Sequence, residues 1–394
     1  MCDYWHGNSI DRRKFQRSDF TGQRAGASHH AAVQVPELCH VLYFENTTCV
    51  VCSRRLGYIP QLFCLSALEP RDDTWRALAD ECASYRFCAN AEFDACNWLL
   101  EATTGDRYCT ACSHNRTIPD LRVQGNLAAW RKIEAAKHRL FYSLLKLRLP
   151  LGNSGENTDR RLTFDFVASP PSGPKVLTGH DNGLITLAIE EADDVERERR
   201  RTAMHEPYRT LLGHLRHEVG HFFWDRLVRD DNRLEDFREI FGDDRMDYRA
   251  ALKTYYAQGA PPNWSERFIS AYATSHPWED FAETCAHYLH IIDTLEMAEA
   301  FRLDVHPKVR NGGTLDAVVD FDPHAESDFT RIVDTWIPLS NALNCLNRAM
   351  GQPDLYPFIL SPPVIDKLRS VHDLVHPNAD ASGERFEADG QMVN

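Results

Sequence analysis

The cysteines of this chain are concentrated towards its N-terminus. Ten of the twelve lie within the first 112 residues, and none lies between residues 113 and 284. In a reducing compartment, thiols crowded into pairs are more often metal ligands than disulfides. The distribution therefore predicts a separate N-terminal module that is held together by metal.

One group of these cysteines has the spacing of a structural zinc site. Cys88, Cys96, Cys109 and Cys112 include one CxxC knuckle. Four thiolates complete the tetrahedral coordination of Zn²⁺ and leave no open position, so this group predicts a structural zinc. Cys82 is the alternative ligand if Cys88 is not used.

A second group of cysteines is incomplete. Cys39, Cys49 and Cys52 contain another CxxC knuckle, but Pro36 stands where a zinc ribbon would place the partner of Cys39. These three are candidate ligands of a second structural zinc that would need a fourth ligand. The residues that could supply it are His40, Cys64 and Cys2. Alternatively, this second site binds no metal. The ribbon as a whole could dock protein or nucleic acid, and the alternative is a region that metal merely stabilises.

Composition and periodicity divide the chain into five segments. Residues 1–38 lack periodicity and are predicted to be a disordered extension, and residues 376–394 a flexible tail. Residues 39–120 predict a zinc-ribbon domain of short strands. Residues 121–150 predict a bridging helix, and residues 151–375 a mostly helical second domain with a small sheet. The expected fold class is α+β.

Hydrophobic periodicity locates the elements of the second half. The runs LTFDFV and GLITLAIE predict two strands, and DDVERERRRTAM and YRTLLGHLRHEVGHFFWDRLV predict two helices. Further helices are predicted over 234–241, 246–258, 264–273, 278–299, 327–350 and 363–374.

The strongest chemical signal is the sequence HEVGH. His217 and His221 are four residues apart and therefore lie on one face of a helix, where both imidazoles can bind one cation. Glu218 lies beside that cation, where a carboxylate can take a proton from a bound water. The apolar residues around the motif predict that the helix is buried, and buried histidines need partners. An incidental histidine pair on a surface helix is the alternative.

A catalytic zinc requires a third protein ligand and an open position. The extended metzincin motif is excluded because Trp224 and Leu227 occupy the places of its glycine and third histidine. The run HPWEDFAETCAHYLH offers Glu279 and Glu283 on one helix face. In zincins with a glutamate ligand, the first acid of such a pair binds the metal and the second hydrogen-bonds a ligand histidine. We therefore predict Glu279 as the ligand and Glu283 as its supporting residue.

Other residues near this pair are alternatives. Asp280 would replace Glu279 if the helix were turned by one position, and His287 and His290 are rival ligands on the same helix. A solvated charged helix face is the alternative without metal. The strand GLITLAIEEAD precedes the metal helix, where zincins place the edge strand that pairs with a peptide substrate, but an internal strand is equally compatible with its sequence.

The chain resembles a family of bacterial zinc-binding metallopeptidases that carry an N-terminal zinc-ribbon domain. The blocks that carry the resemblance are CHVLYFENTTCVVCSRRLGYIP, CNWLL, ACSHNRTIPDL, TGHDNGLITLAIEEAD, EPYRTLLGHLRHEVGHFFWD and HPWEDFAETCAHYLHI. The likeness covers about residues 39–375 and departs from the family pattern at Pro36 and within residues 1–38. It implies a cytosolic, zincin-like metallopeptidase whose substrate is not established.

A tyrosine upstream of the predicted third ligand carries a second resemblance. Tyr272 stands seven residues before Glu279, in SAYATSHPWEDFAE, and this spacing is similar to that of the catalytic domain of anthrax lethal factor, a glutamate zincin. The resemblance implies that Tyr272 donates a hydrogen bond to the developing oxyanion. A buried core tyrosine is the alternative. His276 and His214 are further candidates for substrate contact.

Charge and hydropathy limit the partners of the chain. Its 44 basic and 58 acidic residues give a net charge of −14, which argues against nonspecific nucleic-acid binding and leaves only a local contact through the ribbon. Because no run of 18 apolar residues and no signal-peptide core is present, we expect a cytoplasmic protein without membrane contact.

Together these features predict a zinc-dependent metallopeptidase that acts on a peptide or protein. It would contain one catalytic zinc and one or two structural zincs, with Glu218 as the general base. The first alternative is a noncatalytic zinc-ribbon module that binds protein or nucleic acid, in which the HEVGH zinc is only structural. The second is a metallohydrolase of nonpeptide amides.

Overall fold

We describe the protein from a computed structural model. The description covers residues 32–34, 41–152, 161–170, 172–203, 209–308 and 315–377. Strands dominate up to residue 117 and helices dominate beyond residue 126, so the predicted α+β class is confirmed. Apart from residues 32–34, the predicted extension lies outside the described residues, as do Cys39 and all but the first two residues of the predicted tail.

The N-terminal region contains a two-stranded ribbon and a five-stranded antiparallel sheet. Its strands are β1 (Ala32–Gln34), β2 (Val41–Tyr43), β3 (Leu56–Ile59), β4 (Cys64–Arg71), β5 (Thr74–Ala77), β6 (Asp80–Phe87) and β7 (Leu99–Glu101). β1 pairs with β2, and β3 to β7 follow one another in the larger sheet. Tyr58, Trp98 and Phe44 pack together beneath it, with ring centroids 4.8–6.3 Å apart.

A second sheet connects this region to the helices. It contains β8 (Asn115–Thr117), β9 (Thr163–Val167), β10 (Gly179–Asp181) and β11 (Leu184–Ala188), in the order β10-β11-β9-β8. β9 and β11 are the two strands expected from LTFDFV and GLITLAIE. β11 lies between β10 and β9, so it is an internal strand, and the edge next to it is formed by β10.

Eight helices and a small hairpin complete the described fold. The helices are α1 (Asn126–Lys146), α2 (Asp194–Ala203), α3 (Leu211–Trp224), α4 (Leu234–Phe241), α5 (Tyr248–Gln258), α6 (Pro277–Ala300), α7 (Phe329–Ala349) and α8 (Pro362–Val375). The hairpin pairs β12 (Asp304–Val305) with β13 (Ala317–Val318). Among the described residues, no helix is both long and apolar enough to cross a membrane.

α3 and α6 form the centre of the helical half. α3 begins after Thr210, whose side chain caps it by accepting a hydrogen bond from the Gly213 amide at 2.9 Å. α6 begins at Pro277, and His276 Nδ1 caps it by accepting from the Trp278 amide at 3.1 Å. Apolar side chains of both helices join those of α1 and both larger sheets in one continuous core.

The predicted helix over 264–273 is wrong. Trp264–Glu266 and Tyr272–Ser275 form only short 3₁₀ turns. Between these turns the Ser270 hydroxyl accepts a hydrogen bond from the Ala273 amide at 3.1 Å and donates one to Glu283 Oε2 at 2.6 Å. These side-chain bonds compete with a helical ladder, because they hold the backbone amide that the helix would use.

Candidate metal centre

Three side chains from α3 and α6 converge at one point. His217 and His221 lie one turn apart on α3, and Glu279 lies in the first turn of α6. Glu279 Oε2 is 3.0 Å from His217 Nε2 and 3.3 Å from His221 Nε2. All three residues are buried. The structure thus brings together the three residues that the sequence predicts as ligands of the catalytic zinc.

The orientation of the His217 ring fits a cation at this point. Its Nδ1 donates a hydrogen bond to Glu283 Oε1 at 2.6 Å, which turns Nε2 towards Glu279. Glu279 Oε2 has no hydrogen-bond partner among the described residues. Two imidazole nitrogens and a carboxylate oxygen, all within 4.8 Å of one another, are a donor set suited to Zn²⁺.

Electrostatics at the centre also favours a positive ion. Burial opposes protonation of His217, but the carboxylates of Glu279 and Glu283 hold the pKa of its imidazole well above the usual value. Burial opposes ionisation of Glu279, yet His221 and His217 hold the pKa of that carboxyl well below its usual range. In the same way, against the effect of burial, His217 lowers the pKa of Glu283 to about 2. The centre is therefore a site of buried negative charge that positive charge stabilises.

The rival ligands point elsewhere. Asp280 Oδ2 accepts a hydrogen bond from Lys367 Nζ at 2.6 Å and does not group with the two histidines. His287 Nδ1 is 2.9 Å from the Tyr356 hydroxyl, and the His290 ring contacts the Arg216 guanidinium. Among the described residues, only Glu279 of α6 groups with the two histidines as candidate ligands.

Glu218 is the acid within the motif, and it is nearly fully buried beside His217. Its Oε1 lies 3.2 Å from His214 Nε2. Although burial opposes ionisation, His214 holds the pKa of the Glu218 carboxyl below its usual value. Both residues line a cavity of about 320 Å³ whose other walls include Tyr255, Tyr272 and His217. An ionised carboxylate is thus available next to a space that can admit substrate.

Two tyrosines approach the centre. The ring of Tyr272 lies 5.8 Å from that of His217, centroid to centroid, and faces the cavity. The hydroxyl of Tyr248 donates to Glu279 Oε1 at 2.5 Å, on the oxygen that does not face the histidines. Burial, with the nearby Glu279 charge, raises the pKa of both phenols, which therefore remain hydrogen-bond donors. The sequence analysis missed Tyr248, because a single tyrosine at the start of α5 carries no motif.

His276 is a structural residue in this geometry. Its Nδ1 caps α6, and its Nε2 is 3.2 Å from the Met246 carbonyl oxygen. Both ring nitrogens are therefore used within the fold.

The four predicted ribbon thiols also converge. Cys88, Cys96, Cys109 and Cys112 are all buried, with their sulfurs within 4.8 Å of one another. Cys96 Sγ and Cys109 Sγ are 3.7 Å apart, which matches two corners of a ZnS₄ tetrahedron with bonds of about 2.3 Å. Cys82, the alternative ligand, is exposed and lies outside the group.

A histidine from α1 contacts this thiol group and was not predicted. His138 Nδ1 donates to the backbone carbonyl of Glu134 at 2.6 Å, and its Nε2 lies 3.2 Å from Cys96 Sγ and 3.6 Å from Cys112 Sγ. The Lys137 ammonium, fully buried nearby, donates to Glu134 Oε1 at 3.0 Å. The first helix after the ribbon thus packs its polar side chains directly onto the ribbon's candidate zinc site.

The described residues of the second cysteine group do not converge on a common point. Cys49 is buried and Cys52 is exposed, while Cys39 lies outside the described residues. Among the residues that the structure describes, Cys49 and Cys52 do not join a third candidate ligand, and Cys64 is on β4. A second structural zinc remains a prediction.

One further polar cluster was not anticipated. Asp293, Glu296 and His324 approach one another as metal ligands would. However, Lys146 pairs with Glu296 and Arg216 pairs with Asp293, so the two acids are already neutralised by two cations. The cluster is an internal ion-pair network that joins α1, α3 and α6.

Two family models together match most of the chain. Residues 126–374 match the model of a family described as "Putative zinc-binding metallo-peptidase", and residues 35–123 match a zinc-ribbon domain. The chain is similar to proteins of Mycobacterium bovis and of two strains of Mycobacterium tuberculosis, all named as uncharacterized. Each is 40% identical over 337 residues, which cover 85% of this chain and 92% of the relative. No solved structure matches.

Proposed function

This chain belongs to the family of zinc-binding metallopeptidases, and we propose that it is a glutamate zincin that hydrolyses peptide bonds. His217, His221 and Glu279 would hold the catalytic zinc, and Glu283 would fix the tautomer of His217. The observation that carries the proposal is the convergence of two imidazole nitrogens and one carboxylate oxygen beside the buried carboxyl group of Glu218. A purely structural zinc would need no additional acid at that position and would more often have a fourth protein ligand.

When bound, the zinc supplies a Lewis acid that polarises the substrate carbonyl and makes water acidic enough to react near neutral pH. Glu218 accepts the proton that this water loses during attack on the peptide carbonyl carbon. The same carboxyl group then delivers the proton to the leaving amine nitrogen. Glu218 lines the cavity in which both transfers would take place.

Tyr272 is proposed to donate a hydrogen bond to the carbonyl oxygen as negative charge develops there. Its raised pKa keeps the phenol protonated, and its ring is held against His217. Tyr248 is assigned a different role, because it donates to Glu279 Oε1 and thereby leaves Oε2 for the metal.

The test compares Glu218→Gln with the wild-type chain. We expect the variant to keep its full zinc content, measured by elemental analysis, and to lose hydrolysis of an unstructured, fluorescently labelled protein by at least about 100-fold. Glu235→Gln, a neutral substitution at an exposed position on α4, is the matched control and should retain activity. Equal hydrolysis by Glu218→Gln and wild type would remove Glu218 from the mechanism.

A second variant tests the ligand set. Glu279→Ala should lower the zinc content by one atom per chain, because no other carboxylate of α6 faces the two histidines. Full zinc retention would show that Asp280 or Glu283 binds the metal instead.

A further inference from the structure

We propose that His214 and Glu191 are positioning residues for the general base, holding the Glu218 carboxylate in the orientation needed for proton transfer. The inference rests on the peptidase function proposed above and adds two residues that the HEVGH motif does not contain. His214 was considered from the sequence only as a candidate for substrate contact.

The three side chains form a chain of contacts that leads away from the metal centre. His214 lies one helical turn before Glu218 on the same face of α3, with Nε2 3.2 Å from Glu218 Oε1. The other ring nitrogen, Nδ1, lies 3.6 Å from Glu191 Oε2. That distance exceeds a hydrogen bond, so Glu191 acts on the imidazole mainly through its charge.

Glu191 comes from a different part of the fold. It lies in the short turn Ile189–Ala192 that follows β11, and only 2% of its side chain is exposed. A buried carboxylate is costly unless positive or hydrogen-bonding groups surround it. Here Arg209 Nη2 lies 3.6 Å from its Oε1 on one side and the imidazole of His214 lies on the other. The sheet therefore supplies a fixed charge that orients an imidazole on the metal helix.

The contact matters because a glutamate side chain on a helix has several rotamers. Without a partner, the Glu218 carboxylate would sample positions that do not point at the reacting water, and the transfer would lose its alignment. The His214 contact is made to Oε1, and we assign Oε2 to the proton transfer. All three residues line the same cavity, which places this arrangement at the substrate side of the centre.

Three variants test the proposal in the zinc-loaded full-length chain. His214→Ala should lower kcat by about 10- to 100-fold while KM changes less than about threefold, because orientation of the base is lost but the binding cavity is not. His214→Gln carries an amide nitrogen near the place of Nε2 and should recover most of kcat. Glu191→Gln keeps the shape of the side chain but removes its charge, and should lower kcat by a smaller factor. His306→Ala, at an exposed histidine, is the control.

A second readout does not depend on activity. In metal-free protein with ¹⁵N-labelled histidine, Glu218→Gln and Glu191→Gln should each shift the ring nitrogen resonances of His214, whereas Glu235→Gln should not. Unshifted resonances in both variants would overturn the proposed contacts. Zinc content should equal that of wild type in every variant, since none of the ligands is changed.

The outcomes separate this inference from the proposed function. If wild type hydrolyses protein, Glu218→Gln does not, and His214→Ala retains full kcat, then the positioning role is overturned while the peptidase function stands. If wild-type, zinc-loaded protein does not hydrolyse peptide bonds, both are overturned. Loss of kcat in His214→Ala with no recovery in His214→Gln would also contradict the role assigned to the imidazole nitrogen.

Discussion

Gly220 lies where α3 crosses α6, between the two histidines of the candidate metal centre. A Cβ atom built on it would lie 2.8 Å from the Cα atom and 3.0 Å from the carbonyl oxygen of Ala282. Both are backbone atoms of α6, so no side-chain rotation can relieve the contact. We predict that Gly220→Ala pushes the two helices apart and thereby separates Glu279 from His217 and His221.

The size of the effect follows from the distances. Non-bonded carbon atoms rest about 3.5–4.0 Å apart, so the helices must separate locally by roughly 1 Å. Zinc–ligand distances vary by only about 0.2 Å, so a displacement of that size takes Glu279 out of coordination. Glycine to alanine within a helix would by itself stabilise the protein by about 1 kcal/mol, whereas overpacking costs about 1–3 kcal/mol. We expect a net loss of up to about 2 kcal/mol in the free energy of unfolding.

The assay combines urea unfolding of the metal-free protein with zinc competition against a chromophoric chelator. Gly105→Ala is the matched control, because a Cβ atom there would meet nothing within 4 Å. Adding Ala282→Gly to Gly220→Ala should not restore zinc binding, since the clash is with backbone atoms that remain. A Gly220→Ala protein that is more stable than wild type and binds zinc equally well would refute the reasoning.

Two further predictions concern the ribbon and the response to acid. Cys112→Ser should lower the zinc content by one atom per chain and lower the melting temperature, because His138 of α1 packs on that site. Cys82→Ser, at an exposed thiol, should change neither quantity. Zinc loss in Cys82→Ser would show that Cys82 is a ligand. Burial lowers the pKa of His287 from 6.5 to about 4. Between these pH values the unfolded chain therefore binds a proton that the folded chain does not. The free energy of unfolding then decreases as the pH is lowered, by up to about 1.4 kcal/mol per pH unit. His287→Gln should flatten this fall in urea titrations between pH 6.5 and 4.5, while the exposed-site control His306→Gln should keep it. An unchanged slope in His287→Gln would contradict the assignment.

The family was predicted from sequence, and the comparisons confirm it. The family followed from a resemblance in long motif blocks, whereas the candidate ligands were found because both centres depend on short spacings that local geometry fixes. A pair of histidines four residues apart lies on one helix face whatever surrounds it, and CxxC knuckles behave in the same way. The division of the chain at residues 121 and 151 remains a prediction, although α1 buries most of one face in the shared core.

The choice between Glu279 and Asp280 could not be made from spacing alone. It depends on the rotation of α6 about its axis, and the cap at His276 and the pairing of Asp280 with Lys367 contribute to that rotation. Tyr248 and His138 were missed for a related reason. Tyr248 and Glu279 are 31 residues apart in the sequence, and His138 and Cys96 are 42 residues apart. Only tertiary packing brings each pair together.

The edge strand shows a different limit. The sequence GLITLAIEEAD is equally compatible with an edge strand and an internal strand. Its alternating side chains indicate which faces of the strand are buried, but they do not indicate whether one or two strands pair with it. The short strand Gly179–Asp181 takes the edge position, and three residues are too few to be recognised by periodicity.

The most direct test of the whole account is an anomalous difference map at the zinc absorption edge, from crystals of the zinc-loaded protein. We predict a peak between α3 and α6, with His217 Nε2 and His221 Nε2 about 2.0–2.1 Å away and a Glu279 oxygen about 2.0–2.2 Å away. We also predict a second peak among Cys88, Cys96, Cys109 and Cys112. A map with no peak at the histidines, or one in which the peak lacks Glu279 and is closed by a fourth protein ligand, would contradict the account.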